Sequence, residues 1–192
     1  MSIRTVIGAV GGITPRSVAV LSRPASATQY TAQDIIANSG TAGDVVPLEF
    51  NIGVTAGSGI ITGAKCVLKA ASGAVVTTAA AFDLLVFRPA TSIPFAAAGY
   101  PADNAALTLT SAAMVQLVGR FSFVAADWLT AGLETGAAYQ MVGEASGLSF
   151  VPFDLQGLSG VDSLLGVVQA KDVWNPGNVA QTLSFELAVQ GD

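Results

Sequence analysis

Apolar and polar residues alternate with a period of two along much of this chain. Leu48, Phe50, Ile52 and Val54 alternate with Glu49, Asn51 and Gly53, and near the C-terminus Leu183, Phe185, Leu187 and Val189 alternate with Ser184, Glu186, Ala188 and Gln190. Successive side chains of a strand point to opposite faces, so each run predicts a strand with one buried and one wet face. Lys65, Val67 and Lys69 share one face of a third run, while Cys66 and Leu68 share the other. Phe82 to Phe87 is apolar on both faces apart from Asp83, which predicts a strand near the centre of a sandwich. Ser17 to Arg23, Arg120 to Val124, Tyr139 to Val142, Leu148 to Phe153 and Leu164 to Lys171 bring the set to about eight strands.

Turn chemistry separates these runs at Thr41-Ala42-Gly43-Asp44, Ala56-Gly57-Ser58-Gly59, Ala71-Ser72-Gly73 and Asn175-Pro176-Gly177-Asn178. One short helix is predicted from a cap at Thr110 or Ser111 through Ala112, Ala113 and Met114 to about Leu117. Short strands punctuated in this way predict an all-β fold, an antiparallel β-sandwich or jelly roll over residues 17–192. Residues 89–110, rich in proline and alanine, form the longest connection, a place where partner contacts tend to sit. Residues 1–16 differ from the rest. Gly8, Gly11 and Gly12 lie among Ile3, Val6, Ile7, Val10 and Ile13, a segment too flexible to stand alone and too apolar to be left in water. It reads either as an N-terminal arm laid on a neighbouring subunit or as an edge strand of its own sheet.

Composition narrows the function more than it narrows the fold. The 192 residues include no histidine, only 8 Lys and Arg, and 13 Asp and Glu. Histidine is the commonest general acid-base group and a frequent metal ligand, so the chain is expected not to be an enzyme and to need no cofactor. With a net charge of −5 and basic residues scattered singly, it lacks the clustered cations that a nucleic-acid backbone or an anionic membrane surface requires. Uncharged stretches such as Asn104 to Gly119 are broken by Asn, Thr, Ser and Gln and fall short of the roughly 20 apolar residues of a spanning helix, so neither membrane nor nucleic acid is expected as a partner. Ala25-Ser26-Ala27 has the form of a signal cleavage site, yet Pro15, Arg16 and Arg23 interrupt the apolar run before it. The single Cys66 sits where a small buried hydrophobe is wanted.

Candidate chemistry is sparse. Gly57, Gly59 and Gly63 have the flavour of a phosphate loop but lack its lysine and its strand-to-helix setting, and read as a hairpin turn. Asp83, Asp127, Glu134, Glu144 and Asp154 are glycosidase-type carboxylates by residue type alone, with no spacing that singles out a pair. Asp103-Asn104 reads as a turn or cap before it reads as a cation site. Trp128 and Trp174, with Tyr30, Tyr100 and Tyr139, would line a sugar-binding surface if exposed and anchor a core or interface if buried.

The stretch Ser22-Arg23-Pro24-Ala25-Ser26-Ala27-Thr28-Gln29-Tyr30-Thr31-Ala32-Gln33-Asp34-Ile35-Ile36 resembles the opening of the head decoration, or cement, proteins of tailed bacteriophages. Pro101-Ala102-Asp103-Asn104-Ala105-Ala106, Leu165-Gly166-Val167-Val168-Gln169-Ala170 and Trp174-Asn175-Pro176 extend the resemblance over about residues 17–192, with Gln33 standing where the pattern has glycine. The resemblance implies a β-sandwich made in the host cytoplasm and carried on the outer surface of the virion, where a homotrimer braces neighbouring subunits of the major capsid protein. Arg4, Val6, Ile7, Val10, Ile13 and Arg16 of the arm, with Ile93, Phe95 and Tyr100 of the long connection, are the candidate capsid or subunit contacts. A carbohydrate-binding sandwich on a phage tail or a secreted protein is the competing expectation.

Overall fold

The computed structural model describes residues 16–26, 28–41, 44–52, 58–70, 81–89, 101–130, 140–144, 151–155 and 163–191, with the backbone alone for 129–130, 140–144 and 191. Eleven strands occupy these residues, more than the sequence predicts: β1 Arg16–Arg23, β2 Ile35–Ile36, β3 Leu48–Asn51, β4 Ser58–Ala70, β5 Phe82–Phe87, β6 Leu117–Phe123, β7 Trp128–Thr130, β8 Gln140–Glu144, β9 Val151–Asp154, β10 Ser163–Ala170 and β11 Gln181–Gly191. They form two sheets in which every strand pair is antiparallel. The first runs β1-β11-β4-β8-β7, with β9 beside β8 on the same long strand β4. The second runs β2-β10-β5-β6, with β3 beside β2 on β10. The expected all-β sandwich is therefore present. No helix among the described residues is long and apolar enough to cross a membrane.

The alternation read from the sequence fills the space between the sheets. Leu48, Phe50 and Ile52 from β3 and its end meet Leu183, Phe185, Leu187 and Val189 of β11 in one buried cluster, together with Cys66 and Leu68 of β4. Phe82 of β5 packs edge-on against Phe185 of β11, with ring centroids 5.7 Å apart, and against Trp128 at 5.6 Å. Contacts of this kind tie one sheet to the other through the largest apolar areas available. Burial pushes the Cys66 thiol well above its ordinary pKa, so it packs as a small hydrophobe.

A second apolar cluster lies on the other side of the second sheet. Leu85 and Phe87 of β5 and Val167 of β10 point away from the main core and are covered by Ala37, Val45 and Leu107, with Leu109 packed against them. This is why Phe82–Phe87 is buried along its whole length. The half of the long connection within the described residues, 101–110, is thus a cover for this sheet and not a free loop. The helix Ser111–Met114 follows it, capped by Thr110, whose Oγ1 accepts the Ala113 N–H at 3.2 Å.

Two turn expectations change. Ser58 and Gly59 open β4 and Gly63 lies inside the same strand, so these two glycines are strand residues, while Gly57 lies outside the described residues. Gly59 serves close packing: a Cβ there would stand 2.7 Å from the Gln190 carbonyl oxygen and 2.7 Å from the Phe153 ring. Gln33 adopts a φ of 78°, the left-handed conformation that glycine favours. Its backbone N–H donates to Ala170 and its carbonyl accepts from Leu107, which hold it there.

Gly166 in the middle of β10 would place a Cβ 2.7 Å from Phe50 Cε2 and 3.2 Å from Leu48 Cβ and Leu84 Cδ1. Gly166→Ala is expected to lower stability by about 1–3 kcal/mol through overpacking. Gly63, where an added Cβ would meet nothing within 4 Å, gives the control. Gly63→Ala should change stability by no more than about 0.5–1 kcal/mol, in the stabilising direction. Urea unfolding midpoints check both, and equal midpoints for the two variants would contradict the packing account.

Candidate functional site

Distant segments of the chain meet around Arg23, the last residue of β1. Arg23 is 1% exposed, and its guanidinium donates to Gln181 Oε1 at 3.3 Å, to the Tyr30 hydroxyl at 3.5 Å, and to the carbonyls of Gly177 and Val179 at 3.3 and 2.7 Å. The carbon of the guanidinium also lies 5.8 Å from the Tyr30 ring centroid and 5.9 Å from that of Trp174, and these rings stack on each other at 5.3 Å. A buried cation is tolerated only when its donors are used and negative charge is near. Here the negative charge is Asp103, reached through Tyr30, whose hydroxyl donates to its two carboxylate oxygens at 2.7 and 2.8 Å.

Asp103 also accepts the backbone N–H of Ala37 at 2.8 Å, which pins the covering segment 101–107 to the residue that follows β2. Around it, Asp34 accepts the N–H and the hydroxyl of Thr31 at 2.6 and 2.8 Å. The Asn104 amide, oriented with its nitrogen as donor, reaches Asp34 Oδ2 at 3.1 Å and the Gln29 carbonyl at 3.2 Å. Burial raises the pKa of Asp103, opposed by the Ala37 N–H, the Tyr30 hydroxyl and the Arg23 charge. Burial first, then the bond to Asp103, pushes the Tyr30 phenol far above its usual range. The carboxylates of the cluster are spent on neighbouring donors, which makes Asp103-Asn104 a structural turn, while the buried Trp174 Nε1 has no hydrogen-bond partner among the described residues.

The surface available to a partner is the outer face of the first sheet. Arg16, Val18, Val20 and Ser22 stand outward on β1, next to Ala188, Glu186, Ser184 and Thr182 on β11, followed by Lys65, Val67 and Lys69 on β4. Val18 and Val20 are 58% and 57% exposed, and Arg16 pairs with Glu186 at 2.7 Å. None of these residues belongs to either apolar cluster. The face is broad: short side chains run along β1 and β11, and Arg16, Glu186, Lys65 and Lys69 supply its charges.

Of the contact residues expected from the sequence, Arg16 alone is described, as the first residue of β1. Arg4, Val6, Ile7, Val10 and Ile13 of the arm and Ile93, Phe95 and Tyr100 of the connection lie outside the described residues, as do Tyr139 and Glu134. The described carboxylates are separated and occupied: Asp83 on β5 accepts from Ser122 and lies 3.9 Å from Arg120, and Asp127 caps Val124 N–H at 2.8 Å. Asp154 sits on β9 in the other sheet. Trp128, Trp174 and Tyr30 are buried and form no exposed ring platform. No group of metal-binding residues gathers among the described residues. Val18 and Val20 were not legible as surface residues, because a valine pair in an alternating run reads as the buried row.

No family model and no curated protein sequence matches the chain. Among solved structures it is similar to the decameric BFDV capsid protein, at 12% identity and a TM-score of 0.28, covering 93% of this chain and 100% of that one. A TM-score of that size falls short of a shared fold, and the likeness adds nothing to the reading of the site.

Because the folded protein raises the pKa of Asp103, this group favours the folded state when protonated. Its contribution is fully present below the ordinary aspartate value and is lost as pH rises through the folded one. Wild type should therefore gain stability relative to Asp103→Asn as pH falls from neutral toward about 3 to 4. Urea unfolding of both proteins across that range checks the sign; a gap that stays constant or narrows on acidification would contradict it.

Proposed function

We propose that this chain is a structural protein of a tailed bacteriophage virion, a decoration protein that binds the outside of the icosahedral head and braces neighbouring major capsid protein subunits. The observation that carries this reading is the meeting of the segments that resemble decoration proteins. Arg23, Tyr30 and Asp34, Asp103 and Asn104, and Trp174 come from three separate stretches of sequence and enter one hydrogen-bonded and stacked cluster. Residues that act as one unit make a stronger resemblance than the same short motifs taken singly. The outer face of the first sheet supports it further, since a broad surface of mixed short, aliphatic and charged side chains suits many modest contacts repeated by symmetry. Three copies around each threefold position is the grouping we assign to it. The burial of Trp128 and Trp174 weighs against the sugar-binding alternative, which needs exposed rings.

Purified protein mixed with heads that lack it should co-sediment with them and add density at regular lattice positions. Ser184 stands at the centre of the outer face, between Val20 and Val67 in register. Ser184→Asp adds a charge at the centre of the contact and should weaken head binding about tenfold or more, equivalent to about 1.4 kcal/mol, with the melting temperature little changed. Absence of head binding by the wild-type chain would sink the reading, and unchanged binding by the variant would move the contact off this face.

A further inference from the structure

An edge strand presents a row of backbone N–H and C=O groups without a ladder partner, and proteins commonly blunt such edges with lysine, proline, a bulge or a covering element. β1 is the edge of the first sheet and pairs with β11 alone among the described strands. The other backbone hydrogen bonds of the described residues include none from residues 16–23. Its eight residues run in register with β11 without a shift, and its sequence, Arg-Ser-Val-Ala-Val-Leu-Ser-Arg, contains no proline and no lysine. Of its two cations, Arg16 turns to Glu186 and Arg23 turns inward. Between them the outward row is Val18, Val20 and Ser22, with both valines more than half exposed. A regular, uncharged edge of this kind is built for pairing.

We propose that β1 pairs antiparallel with β1 of a second copy of this chain, about a two-fold axis through Ala19, joining the two first sheets into one. The strand's own pattern identifies the occupant. A two-fold axis perpendicular to the sheet keeps the exposed rows of both copies on the same side, so outward residues must face outward residues. Centring on Ala19 sets Val18 opposite Val20 of the second copy and Arg16 opposite Ser22, each twice, with Ser17 opposite Leu21 on the inner side. No like charges face one another, and Arg16 keeps its partner Glu186. Centring on Val18 would set Val20 against Arg16, and centring on Val20 would set Val18 against Ser22. The Ala19 register alone covers both valines with valines, the β-branched cross-strand pairing that antiparallel sheets favour. This contact does not depend on head binding; on a lattice of threefold groups, it would link one group to the next.

The test uses the full chain in solution, without heads. Directly opposed residues of an antiparallel pair fall within disulfide reach, and the native Cys66 is fully buried and does not compete. A mixture of Val18→Cys and Val20→Cys chains should cross-link under mild oxidation, whereas either variant alone should cross-link far less. Separately, Val18→Lys/Val20→Lys should halve the mass measured by light scattering while strand-type circular dichroism is retained. Efficient cross-linking of Val18→Cys alone would overturn the register. A mass unaffected by the lysines, or no cross-link in the mixture, would overturn the contact; the cysteine result decides alone if the lysine variant does not fold. Because no head takes part, either failure leaves the decoration reading to its own experiment.

Discussion

The structure turns on one buried cation. Arg23 is held by two carbonyls, an amide, a hydroxyl and two aromatic faces, drawn from the stretch around Tyr30 and from residues 174–181. Taking a guanidinium out of water carries a large desolvation cost, and only a complete set of partners offsets it. Each partner is consequently fixed by the others. Tyr30 cannot leave without freeing Asp103, and Asp103 cannot leave without freeing the N–H of Ala37. Charge-assisted bonds of this kind couple the end of β1 to segments that the two sheets alone would leave as loops.

That coupling gives the molecule its asymmetry. Because Asp103 anchors residues 101–107, Leu107 and Leu109 come to rest on Leu85, Phe87 and Val167, and the second sheet is apolar on both sides. The first sheet has no such cover among the described residues. Its outer face keeps small and β-branched residues in contact with solvent, together with the Arg16–Glu186 ion pair and the cations of Lys65 and Lys69. A sandwich with one sheet partly covered by an apolar segment and the other open has a defined side to offer a partner. The proposed roles in head binding and in strand pairing both use that side and need no reactive group.

Period-two alternation made the long strands legible. The apolar run Phe82–Phe87 coincides with β5 end to end, and the apolar rows of β3, β4, β10 and β11 mark those strands. β2 and β7 were missed because two or three residues are too few to show a period. In β1 the strand was legible but its facing was not, since Ala19 and Leu21 point inward with Ser17 and Arg23 while the valines point out. Hydropathy alone would choose the valines for burial. The reason for the inversion is Arg23, whose partners all lie inside, and most of its hydrogen bonds go to residues more than 150 positions away, which leave no local signal. Short-range chemistry was read well: Thr110 caps its helix as its side chain dictates, and Gly177 takes a φ of 70° in the Asn-Pro-Gly-Asn turn. For the candidate site, the sequence pointed to the arm and the long connection, and of those residues Arg16 alone is described, at the rim of the open face.

The central claim is that Arg23 locks three separated segments as one unit. Hydrogen exchange on Arg23→Met in mildly destabilising urea tests it most directly. The account predicts that protection falls together in residues 30–37, 101–107 and 174–181, while the β4–β11 ladder exchanges only with global unfolding. Loss of protection confined to residues 174–181, with 101–107 as slow as in wild type, would contradict it.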